Sequence, residues 1–103
     1  MVKNEPMTEA MYYVLLALLQ PCHGYQIMRS VGELSRGRVS MGPGTLYGIL
    51  NRLEKKKLIE LLEEDSRKKV YIITDVGKEL LVGEYKRLMA MVKDGQLLEK
   101  ECL

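Results

Sequence analysis

The 103-residue chain contains no Phe and no Trp, one His, two Cys and three Pro, and its formal net charge is only +2. Each shortage removes a class of answer. Without Phe or Trp the core has to be aliphatic, with seven Met to fill its irregular gaps. A thin aliphatic core in so short a chain favours a partner subunit. Cys22 and Cys102 lie far apart in sequence and make no disulfide framework. Together with His23 they fall short of the about four donors that a zinc site takes. His23 is therefore expected to be an ordinary residue at a helix start, with no metal and no cofactor. No thiol or hydroxyl sits in a nucleophile motif. There is also no phosphate loop and no carboxylate pair in an evident cleft, which argues against an enzyme. The longest apolar run, residues 14–19, is far too short to span a bilayer. Residues 1–6 carry no signal-peptide pattern, so the chain is expected to be cytoplasmic with reduced thiols.

What is present is more telling. Hydrophobic residues make up 47% of the chain, enough for one folded domain. Charge is unevenly spread: residues 21–70 hold ten Lys and Arg against six Asp and Glu, leaving six against eight elsewhere. A local balance of +4 against −2 is the footprint of a segment that meets a polyanion.

The chain reads as a series of short elements. Thr8 caps a helix to about residue 20, apolar nearly all round and stopped by Pro21. A second helix spans about 24–35, with Ile27, Val31 and Leu34 at helical spacing, and Gly37 stops it. Residues 39–41 suit a short extended segment. Pro43 then opens a third helix to about Lys56, with Leu46, Ile49, Leu50 and Leu53 on its inner side. Residues 58–63 and 68–73 are β-compatible runs around a four-residue turn, a hairpin signal. Thr74 caps a long last helix with Asp75 in its first turn. This order predicts a mainly α (α+β) winged helix-turn-helix with a two-stranded wing and a C-terminal dimerisation helix. The winged-helix domain is expected over 1–73, and the dimerisation helix and tail over 74–103.

Two motifs stand out. Residues 23–27 read His-Gly-Tyr-Gln-Ile and open the second helix, while 44–47 read Gly-Thr-Leu-Tyr and open the third. Arg52-Leu53-Glu54, Leu58-Ile59, the basic residues 67–69 and the Tyr-x-Ile-Thr-x-x-Gly of 71–77 follow. In combination these resemble the PadR family of bacterial transcriptional regulators, from about residue 8 to 80. The resemblance implies a homodimeric repressor that binds double-stranded DNA, of the short branch with a single C-terminal helix. Two departures matter. The family's Gly after the third helix is Lys57 here, which costs about 1 kcal/mol if the backbone is left-handed there. Its Leu before Thr is Ile73. Relatives that stack flat compounds on tryptophan imply an effector, and with no Trp that role falls to Tyr12, Tyr13 or Tyr85.

The DNA-binding candidates are Thr45, Tyr47, Asn51 and Arg52 on the third helix and Arg67, Lys68 and Lys69 on the wing. Thr meets phosphate or a thymine methyl, Asn pairs with adenine, and Arg pairs with guanine or phosphate. Glu63, Glu64 and Asp65 should hold the wing tip away from phosphate. Gly44 and Gly48 weaken the helix, so their small size serves either DNA approach or packing on the second helix. Tyr25 and Tyr47 read as half-buried packing residues. Lys55, Lys56 and Lys57 read as a solvated helix end. Leu81, Tyr85, Leu88 and Val92 form the candidate dimerisation stripe. Met7, Met11, Met89 and Met91 beside it suit a cavity for a small apolar or aromatic effector. A protein-docking winged helix is the rival class, and it would not need the basic residues of the third helix and wing.

Overall fold

A computed structural model describes residues 6–64 and 68–103. The elements are α1 (Glu9–Ala17), β1 (Cys22–His23), α2 (Gly24–Leu34), α3 (Pro43–Lys55), β2 (Ile59–Glu64), β3 (Lys69–Ile73), α4 (Asp75–Asp94) and α5 (Leu97–Glu101). The winged-helix order expected from the sequence is present.

Local chemistry sets most boundaries. The Thr8 hydroxyl oxygen accepts the Met11 N–H at 3.1 Å and starts α1. Thr74 does the same for α4, accepting from the Gly77 N–H at 3.0 Å while donating to the Lys57 carbonyl at 2.8 Å. That second bond ties the end of α3 to the start of α4. Helix α3 ends with Lys57 at φ 62°, the Lys57 N–H on the Glu54 carbonyl and the Leu58 N–H on the Leu53 carbonyl. This is a Schellman closure with lysine at the left-handed position, as the departure at Lys57 anticipated. Helix α2 closes the same way, but Arg36 takes the left-handed position (φ 56°) one residue before Gly37.

Four expectations are corrected. The two-stranded wing of β2 and β3 is joined by an unexpected third strand, in the order β1-β3-β2 and antiparallel throughout. Cys22 pairs with Tyr71 and His23 with Val70. A two-residue strand is too short to show a period, and only its distant partner defines it. Residues 39–41 join no strand; Val39 and Met41 pack half-buried against the core instead. Leu34 is 51% exposed, and Ser35 takes the buried place on α2. The inward stripe runs Ile27, Val31, Ser35 at steps of four, and the Ser35 hydroxyl is satisfied by Val39 N–H at 3.0 Å. A short α5 follows Gly95 where only a tail was expected.

Leu15 of α1 and Leu18 just after it, Ile27 of α2, Leu46 and Leu50 of α3 and Ile59 of β2 meet in the core. Leu81 anchors the first half of α4 to it. The last turns of α4, beyond Leu88, leave the body: the chain measures 56 × 34 × 20 Å, with a radius of gyration of 15.3 Å. A compact domain of this length has about 13 Å.

Candidate nucleic-acid interface

Helices α2 and α3 are joined by a turn that is pinned on both sides. Ser35 bonds across it to Val39. Arg38 reaches α1, donating to Glu9 Oε2 and to the Tyr13 hydroxyl, both at 2.7 Å. Neither residue stood out in the sequence, because their partners are set by the turn and not by any motif.

The exposed side of α3 follows from its buried side. Leu46, Ile49, Leu50 and Leu53 are buried as their spacing predicts, so the outward arc is fixed. Gly44, Gly48, Asn51 and Lys55 fall at its middle. Tyr47 lies at one margin and Thr45 and Arg52 at the other. All seven are exposed. A Cβ placed on Gly44 or Gly48 would meet nothing within 4 Å, so packing against α2 does not explain either glycine. Among the described residues Arg52 has no ion-pair partner. Tyr47 is 43% exposed and leans over Gly24 at the start of α2. Tyr25 is 71% exposed rather than half-buried, because the first turn of α2 points it away from the core.

One of the wing's cations is paired with an acid of the same hairpin. Lys68 and Lys69 are exposed, and Lys69 Nζ sits 3.8 Å from Glu64 Oε2. Arg67 lies outside the described residues. Glu60, Glu63 and Glu64 are exposed along β2, with a bulge between Leu61 and Glu63. Cys22 of β1 is buried, and burial pushes its thiol up, away from reactivity. His23 precedes α2 without a side-chain cap.

A sequence model described as the transcriptional regulator PadR-like family matches residues 14–82. The chain belongs to this family. A 37.1 kDa protein in transposon TN4556 of Streptomyces fradiae is 44% identical over 77 residues, 74% of this chain and 22% of that protein. The transcriptional regulator YqjI of Escherichia coli (strain K12) is 32% identical over 59 residues, 57% of this chain and 28% of its own length. The chain thus spans about a quarter of these curated relatives. A PadR family transcriptional regulator from Eggerthella lenta shares the fold, with TM-score 0.71 and 23% identity over 86% of this chain and 76% of that one. PadR-like proteins are regulators and not enzymes. No helix among the described residues is long and apolar enough to cross a membrane.

Away from α3, this PadR-like chain has a cleft of about 330 Å³ between α1, α4 and the α2–α3 turn. Met7, Tyr12, Tyr13, Arg38, Arg87 and Leu88 are among its lining. Glu84, nearly inaccessible, closes one side: its carboxylate accepts from Arg87 at 2.6 and 2.9 Å and from the Met7 N–H at 3.3 Å. The Arg87 guanidinium holds the Glu84 carboxyl below its ordinary value. Burial, then the phenol of Tyr85, pushes Tyr12 up. Of the four methionines Met7 lines this cleft and the other three lie elsewhere. Met11 packs on the core, Met89 lines a separate groove on α4, and the Met91 sulfur accepts from Arg87 at 3.1 Å.

The candidate dimerisation stripe also divides. Leu81 is 5% exposed and belongs to this subunit's own core, because the first half of α4 is needed to close it. Leu88 is half-buried, while Tyr85 and Val92 are exposed. One step round the helix, Val82 and Met89 are half-exposed, giving Val82, Tyr85, Met89 and Val92 at spacings of three and four.

Proposed function

We propose that this PadR-like regulator is a homodimeric repressor that places α3 in the major groove of a pseudo-palindromic operator. The observation that carries the reading is the outward face of α3: two glycines with open space above them, one Asn at the centre and donors at both margins. Such a face lets the helix backbone come close to base edges while Asn51 reads an adenine. Thr45 and Arg52 on one margin, and Tyr47 on the other, then meet the two phosphate strands. Lys68 and Lys69 add wing contacts to the backbone, with the acidic side of β2 held away.

Assembly follows from α4. Val82, Tyr85, Met89 and Val92 offer an exposed a/d-type seam along α4. Burying each against a second copy contributes about 1.5–3 kcal/mol before ordering costs. Two recognition helices would then stand about 34 Å apart, one turn of DNA. A small apolar or aromatic effector in the cleft beside Tyr12 and Tyr13 would touch Arg38, and through it the turn that carries α3. Binding there would favour a dimer with misplaced recognition helices.

Selecting duplexes from a random pool and reading the consensus tests this function. Two inverted half-sites one helical turn apart are expected. A pool without enrichment would instead favour a protein-docking module.

A further inference from the structure

We infer that Gly24 is a positioning residue for DNA binding: its missing side chain is the seat that sets where the Tyr47 phenol points. The inference rests on the DNA reading of α3 and adds a residue to it that makes no contact of its own.

Gly24 is the first residue of α2, with a φ outside the left-handed region, so the backbone there does not require glycine. Alanine at a first helical turn is favourable on propensity alone. What a side chain would meet is Tyr47. A Cβ on Gly24 would collide with the Tyr47 hydroxyl and stand 3.1 Å from its Cζ. The collision is with the tip of the ring, so the protein would yield by swinging the phenol and not by unfolding. Gly24 is buried, and the contact crosses from one helix of the DNA-reading pair to the other.

The hydroxyl so placed is available. Among the described residues none hydrogen-bonds it. It lies where α2 meets the margin of the outward face of α3. In a helix-turn-helix the first helix of the pair crosses the sugar-phosphate backbone, which puts a donor at this junction beside a phosphate. A phenol O–H given to a phosphate oxygen is a charge-assisted bond, and such bonds are sensitive to shifts of a few tenths of an ångström.

The experiment measures affinity for the selected duplex in Gly24→Ala, Tyr47→Ala and the double variant, with thermal melting of each. Gly24→Ala is expected to bind about tenfold more weakly while melting like the wild type. In the Tyr47→Ala background the same substitution should change affinity by less than about twofold, because the displaced ring is gone. The NMR signals of the Tyr47 ring should shift in Gly24→Ala without DNA. An unmoved ring, unchanged binding in Gly24→Ala, or an equal loss in both backgrounds would overturn the seat while leaving the DNA reading intact. A wild type that enriches no duplex would overturn both at the earlier step.

Discussion

Replacing Gly48 by Ala should move stability and DNA affinity in opposite directions. Gly48 sits inside α3, where Gly is about 0.8–1 kcal/mol less favourable than Ala. The new Cβ would meet no atom within 4 Å, so no packing strain offsets that gain. The folded state should therefore gain about 1 kcal/mol, or roughly 4–8 °C in melting temperature for a domain of this size. On the DNA side the methyl lies at the middle of the outward arc. Forcing one extra carbon into a close-packed contact costs about 1–3 kcal/mol, a weakening of roughly 5- to 150-fold. Chemical denaturation at fixed protein concentration gives the first quantity, and fluorescence anisotropy on the selected duplex gives the second. A variant that is stabilised and binds as tightly as the wild type would refute the reasoning. The backbone of α3 would then not lie against DNA at Gly48.

Four further outcomes follow from the structure. Asn51→Ala should cost about 1–3 kcal/mol and relax preference at a single base pair in a competition assay. Arg52→Ala should instead weaken all sequences alike and lower the salt slope by about one. Tyr85→Lys with Met89→Lys should leave a folded monomer in sedimentation equilibrium, whereas a persistent dimer would move the seam elsewhere. Glu84 titrates below its ordinary 4.5, so its contribution to stability is complete above that value and lost as pH falls through the lowered one. Glu84→Gln should therefore flatten the acid side of the stability profile below about pH 4.5 and leave its slope above that pH unchanged, as read by urea titrations.

Much of the fold was legible because local rules decided it. The spacing of Leu46, Ile49, Leu50 and Leu53 fixed which side of α3 faces out, and with it the exposure of Thr45, Tyr47, Asn51 and Arg52. Thr8 and Thr74 are caps because a hydroxyl at that position satisfies a free N–H. Features that depend on distant partners were not legible. The pairing of Cys22 and His23 with β3 spans nearly fifty residues and leaves no periodic trace. Arg38 looked like any exposed cation, and only the fold brings Glu9 and Tyr13 to it. Leu81 and Leu88 share a stripe with Tyr85 and Val92 on paper. Where α4 parts from the body decides which of them the subunit covers by itself.

Helical phasing on DNA tests whether the α3 faces act as a pair fixed by a two-fold assembly. The selected duplex is lengthened between its half-sites by about five base pairs, half a helical turn. Two rigidly joined α3 helices cannot then reach the same face of DNA. Affinity should fall to that of a duplex with one half-site scrambled. Unchanged affinity after the insertion would contradict a dimer that reads successive major grooves.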